Sequence, residues 1–235
     1  MSGILRNLSG RITYLPASDV PLSADVFFIE TDSCVYVYDV GSCREARERI
    51  AAIGKDVVVI LSHFHADHTE NMGSVVCRAL FAGRETLKHV GSGNVVEGET
   101  VLDPSLPIRL LPLPSSHAKD CVALCYGREY TFCGDALYAA GKRFPAGHAG
   151  GGETDGTQKD RADGNGLQPA ESGYVVKMVY NVQKLQEMLA VLKKLDVTYL
   201  VSSHEENPVR PKKEVIHSLE EVYQRREKDS PYIIL

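Results

Sequence analysis

Residues 63–68 read His-Phe-His-Ala-Asp-His, and they stand one residue beyond the apolar run DVVVIL. Imidazole nitrogens and carboxylate oxygens are the usual protein ligands of catalytic zinc, and such sites keep one position open for water. His63, His65, Asp67 and His68 on one loop at a strand end would gather four donors without waiting for distant chain. A polar loop in which histidines merely coincide has no packing reason for this density, since the interior prefers apolar side chains. The spacing therefore points to a metal centre, and to chemistry done on a water held there.

The elements that must position this loop alternate between strand and helix. DVFFIET (25–31) and CVYVYDV (34–40) are β-branched and aromatic runs broken at Asp32-Ser33, which predicts a hairpin. Residues 42–54 place Ala46, Ile50 and Ile53 on one face, with Gly54 as the expected helix stop. DVVVILSH (56–63) is a continuous apolar run of strand length, as expected of a strand covered on both faces. Further strands are expected at 107–113, 121–127, 129–135 and 198–204, with a tight turn at Gly127-Arg128. Helices are expected at 181–196, where Val182, Leu185, Met188, Leu189, Leu192 and Leu195 share a face, and at 211–229, opened by Pro211. Residues 144–166 are rich in glycine and charge, and read as a loop inserted between structured elements.

Composition narrows the function classes. The chain has 235 residues, 43% hydrophobic and 24% charged, with a formal net charge of −5. Those are the values of an ordinary globular protein with a well-buried core. The acidic balance argues against nucleic acid or an anionic membrane as partner, and leaves a small molecule as the expected one. No apolar run approaches the roughly 20 residues needed to span a bilayer. Six cysteines without CxxC spacing, and no export signal at the N-terminus, predict reduced thiols and a cytoplasmic location.

HFHADH resembles the signature of the metallo-β-lactamase superfamily, and other parts of that family's site follow in order. His117 in LPSSHAKD, Asp135 in TFCGDALY and His204 in TYLVSSHEEN are similar to its remaining ligands, and Asp39 in YVYDVGS to its early supporting aspartate. The resemblance runs from about residue 25 to residue 210. It implies a four-layer αββα sandwich over 1–235 as one domain, with an inserted loop at about 141–173 and the metals at one edge of the sheets. It also implies that His63, His65 and His117 hold one metal, and that Asp67, His68 and His204 hold another. Asp135 would lie between them, and Asp67, Asp135 and Tyr138 would be the catalytic residues. Zinc, two ions per chain, is the implied cofactor, with iron or manganese as the other metals such sites accept.

The implied reaction is hydrolysis of a small-molecule acyl bond (thioester, lactone or related ester) by a metal-held hydroxide. The glyoxalase II and lactonase types carry a bridging aspartate like Asp135, whereas the zinc β-lactamases do not. Tyr138, three residues after Asp135, is similar to the lactonase arrangement. The alternatives are a mononuclear-iron sulfur dioxygenase of the same superfamily, or hydrolysis of a phosphodiester or β-lactam. Strand alternation puts Cys133 on the same side as Asp135, within approach of the site, although packing is its stronger expectation. Tyr174 and Tyr180 are further phenols placed to reach the cleft. His89, His148 and His217 read as surface or core-edge residues, and Lys212 and Lys213 as solvated. Nothing in the sequence assigns an oligomeric state.

Overall fold

A computed structural model of the chain describes residues 4–103, 107–137, 143–144, 174–175 and 179–234. Two sheets carry the fold. The first has seven strands lying side by side in chain order: β1 (Arg6–Ser9), β2 (Ile12–Leu15), β3 (Val26–Glu30), β4 (Cys34–Tyr38), β5 (Asp56–Ile60), β6 (Ala79–Ala82) and β7 (Asn94–Val95). Neighbours from β1 to β4 are antiparallel, and β4 to β7 run parallel. Parallel neighbours need crossovers. Helix α1 (Arg44–Ala51), the short helix α2 (Ala66–Thr69) and helix α3 (Arg84–Val90) lie on the three crossovers in turn.

The second sheet has six strands, again in chain order: β8 (Thr100–Asp103), β9 (Ile108–Leu113), β10 (Cys121–Tyr126), β11 (Tyr130–Gly134), β12 (Tyr199–Ser202) and β13 (Val209–Pro211). Its one parallel pair is β11 with β12, and helix α4 (Val182–Lys194) lies between them in sequence. Helix α5 (Lys212–Gln224) follows β13.

Period-two alternation decides which face each strand residue covers. In β4, Cys34, Tyr36 and Tyr38 enter the core between the sheets, while Val35 and Val37 enter the outer core with Ala46 and Ile50 of α1. In β10, Val122 and Leu124 meet them from the second sheet, and Ala123 and Cys125 pack under Leu185, Met188, Leu192 and Leu219 of α4 and α5. Helix, sheet, sheet, helix is the resulting order of layers. The four-layer αββα sandwich expected from the sequence is the architecture observed.

Several boundaries shift from expectation. α1 ends at Ala51 with Ala52 as its cap, so Gly54 is not the stop. α5 ends at Gln224, five residues short of the expected 229, because residues 225–229, RREKD, carry no apolar side chain to pack against the core that half-buried Val222 and Tyr223 meet. Lys212 is not merely solvated: its ammonium donates to the carbonyls of Lys193 (3.1 Å) and Leu195 at the end of α4, where a cation is favoured. Strands β1, β2, β6 to β8 and β13 are additions to the sequence reading. Of the inserted loop at about 141–173 only 143–144 lies within the described residues, paired with 174–175 just beyond it.

One junction ties the fold to the loop that carries His117. Gly83 precedes α3 and is buried, and a Cβ there would overlap the carbonyl of Asp120. Asp120 is a non-glycine residue at φ 53°, and its carboxylate accepts the backbone N–H of Glu85 in the first turn of α3. The expected cost of Gly83→Ala is at the top of the usual overpacking range, about 3 kcal/mol, because backbone rather than a flexible side chain must give way. Urea unfolding of the metal-free variant measures it; a change below about 1 kcal/mol would show that the junction yields.

Candidate metal centre

All the site loops leave the C-terminal ends of strands. Asp39 follows β4, the HFHADH loop follows β5, the His117 loop follows β9, Asp135 follows β11 and His204 follows β12. The loops are tied together by backbone bonds: Asp39 N–H to the Ile60 carbonyl (2.8 Å), Val40 N–H to the His68 carbonyl (2.9 Å) and Val122 N–H to the Ser62 carbonyl (2.8 Å). Asp25, buried at the start of β3, accepts the His204 N–H at 2.8 Å, and so holds a residue whose φ is +62°. The HFHADH segment is not wholly loop, since Ala66–Thr69 forms a single helical turn.

The structure brings all seven expected donors together. Each of the two sets, His63, His65 and His117, and Asp67, His68, Asp135 and His204, has its donor atoms within 4.8 Å of one another. In the first set His117 Nε2 lies 3.2 Å from His63 Nε2 and 2.8 Å from His65 Nδ1. Tetrahedral zinc with nitrogens at about 2.0–2.1 Å separates its ligands by roughly 3.3 Å. In the second set His204 Nε2 lies 2.9 Å from Asp67 Oδ2, and His68 Nε2 lies 3.5 Å from the same oxygen. Asp135 faces both: Oδ1 is 3.3 Å from His68 Nε2, and Oδ2 is 3.4 Å from His117 Nε2.

Two polar atoms decide whether a cation suits this arrangement. His68 Nε2 and Asp135 Oδ1 are fully buried and neither makes a hydrogen bond of acceptable geometry, a state proteins rarely tolerate without a ligand or ion. Seven hard or borderline donor groups converging in this way fit a divalent cation such as zinc.

The two sets differ in charge. Burial first, and then the neighbouring imidazoles, hold His63 well below its ordinary pKa; burial also lowers His65, and lowers His117 to about 4. For His68 burial opposes the proton, but Asp135 and Asp39 outweigh it and raise the pKa well above the ordinary value; Asp135 and Asp67 likewise raise His204. Asp135 itself stays well below the carboxylate range because the two imidazoles beside it overcome its burial. A metal must displace the protons on His68 and His204, whereas the first set is already neutral near pH 7. Raising the pH therefore strengthens binding at the second set and leaves the first nearly unchanged. Zinc titration calorimetry in buffers of different ionisation enthalpy is expected to find proton release on filling the second set only. Equal release at both would contradict it.

Behind the donors, Asp39 is fully buried with φ +60°. Its Oδ1 accepts Ser62 N–H (2.7 Å), and its Oδ2 meets Ser62 Oγ (2.8 Å) and His68 Nδ1 (2.8 Å). Ser62 Oγ also lies 2.9 Å from His63 Nδ1. Asp39 thus supports the site as expected. Ser62, Asp25 and Gly134 are participants that sequence reading missed.

The remaining expectations divide. Cys133 turns away from the site into the core beneath α4 and α5, because Gly134 at φ +53° breaks the alternation before Asp135. Tyr180 is buried in the same core beside Leu185. His89 stacks on Phe64 with centroids 4.7 Å apart, and His217 is exposed. Tyr138, His148 and the side chain of Tyr174 lie outside the described residues.

No protein-family model matches the chain. Known structures align along nearly all of it. The DIM-1 metallo-β-lactamase does so with a TM-score of 0.63 and 12% identity, covering 95% of this chain and 98% of that one. The FIM-1 metallo-β-lactamase of Pseudomonas aeruginosa, solved in a mono-zinc form, gives 0.62 at 12% identity, covering 95% and 96%. The chain has the metallo-β-lactamase fold. The sec-alkylsulfatase Pisa1 of Pseudomonas sp. also aligns, at TM-score 0.63 and 14% identity over 94% of this chain and 42% of that one. In sequence, the chain is 26% identical over 140 residues to a hydroxyacylglutathione hydrolase of Actinobacillus pleuropneumoniae serotype 5b (strain L20), covering 54% of this chain. It spans about half the length of that curated relative, 56%. The metallo-β-lactamase superfamily resemblance read from HFHADH agrees with this fold. No helix among the described residues is long and apolar enough to cross a membrane.

Proposed function

We propose that the protein is a metal-dependent hydrolase that holds two divalent cations, zinc by its donors, and cleaves a small-molecule acyl bond of the thioester, lactone or ester class. The observation that carries this reading is Asp135, whose two carboxylate oxygens face the two donor sets separately. On this reading His63, His65 and His117 would hold one ion, Asp67, His68 and His204 would hold the other, and Asp135 would serve both. When bound, such a pair supplies a nucleophile from water near neutral pH and polarises the acyl oxygen.

The chain's own residues do the rest. Asp67 and Asp135, both held below the usual carboxylate range, remain anionic and offset the charge of the ions. Their side chains are about one-sixth exposed and that of His117 about one-fifth, while His63 and His68 are sealed. Substrate therefore approaches from the side of Asp67, His117 and Asp135. The partial likeness to a hydroxyacylglutathione hydrolase favours a thioester; in the lactone form of the reading Tyr138 donates a hydrogen bond to the substrate oxygen.

Metal quantitation on natively purified protein, followed by a screen of thioester, lactone, ester, β-lactam, phosphodiester and sulfate-ester substrates, tests the proposal. Two zinc ions per chain with thioester or lactone turnover is the expected result. One iron per chain with oxygen uptake on a persulfide would replace hydrolysis by oxidation.

A further inference from the structure

Ser62 stands directly before HFHADH, and its hydroxyl lies behind both donor sets. Oγ is 2.8 Å from Asp39 Oδ2, 2.9 Å from His63 Nδ1 and 3.3 Å from His68 Nδ1, and every one of these side chains is fully buried or nearly so. A hydroxyl carries one proton and two lone pairs. An ionised Asp39 can only accept, so a 2.8 Å contact between Oδ2 and Oγ requires the Ser62 proton to lie between them. Oγ then has only lone pairs to offer His63 Nδ1, and that nitrogen must carry the ring proton. With its proton on Nδ1, His63 turns a bare Nε2 towards His65 and His117.

From this accounting we infer that Ser62 is a positioning residue: relayed through Asp39, it fixes His63 in the one tautomer able to bind a cation. The relay needs room, and Gly134 supplies it. A Cβ at Gly134 would come within 2.7 Å of Ser62 Cβ and 2.8 Å of Ser62 Oγ. The glycine next to Asp135 is thus required by the first donor set as well as by its own φ of +53°. His68 has its own bond to Asp39 at 2.8 Å, so the dependence on Ser62 is selective for the set containing His63.

This inference rests on the metal reading for its importance, and its test separates the two. Long-range ¹⁵N–¹H correlation spectra of the metal-free wild type report the His63 tautomer without any ion. A protonated Nδ1 with a lone pair on Nε2 is expected; the opposite pattern overturns the inference whatever metals do. Zinc titration with a competing chelator supplies the second arm. Ser62→Ala is expected to weaken binding at the three-histidine set by about 10–100-fold, the usual effect of losing a partner that orients a ligand, with the second set changed much less. Gly134→Ala keeps the hydroxyl but displaces it, and is expected to weaken the three-histidine set as well, with some loss at the second set through the adjoining Asp135. Circular dichroism checks that both variants fold. A wild type that binds no zinc would remove the hydrolase reading while the spectra still decide the tautomer. Tight zinc binding by wild type and equally tight binding by Ser62→Ala would remove Ser62's role alone.

Discussion

Asp135→Ala is expected to fold, to keep the ion of the three-histidine set and to lose at least about 10³-fold in kcat/KM. Charge stabilisation by a bound cation is worth several kcal/mol in hydrolytic transition states, and roughly 4 kcal/mol corresponds to that factor. The fold is spared because Asp135 lies just beyond β11 and its buried Oδ1 hydrogen-bonds to nothing the sheets depend on. The second set is not spared. It loses one of its two carboxylates, and with it the oxygen 3.3 Å from His68 Nε2. Asp135→Asn retains an oxygen but not the charge, and is expected to fall between the variant and wild type. Metal content by mass spectrometry, kcat/KM on whichever substrate the screen finds, and the melting temperature of the metal-free protein together read the effect. Undiminished turnover by Asp135→Ala would remove the two-ion reading.

Much of this site could be read from sequence because it is local. Four donors stand within residues 63–68, and strand patterning places that loop at the end of β5, where both faces are covered. Asp39, His117, Asp135 and His204 lie far apart in sequence, and only the order of a known family signature links them. What stayed illegible has no periodicity to announce it. Ser62 is one hydroxyl among many, and its importance comes from Asp39 reaching across from the neighbouring strand. Gly134 looks like an ordinary turn glycine until Ser62 is found filling the space of its absent side chain. Cys133 was placed near the site by strict alternation, and the same glycine's positive φ is what defeats that rule. Strands β1 and β2 carry short, mixed runs, RNLS and ITYL, whose pairing with β3 rather than their own pattern makes them strands.

Asp39 is where fold and site depend on one side chain, and its two substitutions are expected to fail differently. Asp39→Ala strands three buried donors: Ser62 N–H, the Ser62 hydroxyl and His68 Nδ1–H. At about 1–3 kcal/mol for each unsatisfied donor, the loss approaches the whole stability of a typical domain, about 5–15 kcal/mol. That variant is expected to be largely unfolded or insoluble. Asp39→Asn is nearly the same size but has one acceptor oxygen where the carboxylate has two. The backbone N–H of Ser62 cannot change its role, so the amide oxygen must face it, and the NH₂ group then faces Ser62 Oγ and His68 Nδ1. Both can adapt only by becoming acceptors. His68 gives up its Nδ1 proton and keeps the one on Nε2, and Ser62 turns its proton onto His63 Nδ1, which moves the His63 proton to Nε2. Each histidine then presents N–H where a lone pair is needed, one in each donor set. Asp39→Asn is therefore expected to stay folded and to bind zinc at least about 10–100-fold more weakly at both sets, unlike Ser62→Ala, which weakens one. Chelator competition distinguishes the patterns, and ¹⁵N shifts of the two rings show whether the protons have moved. Two zinc ions held with wild-type affinity by Asp39→Asn would mean that the carboxylate does not set either tautomer.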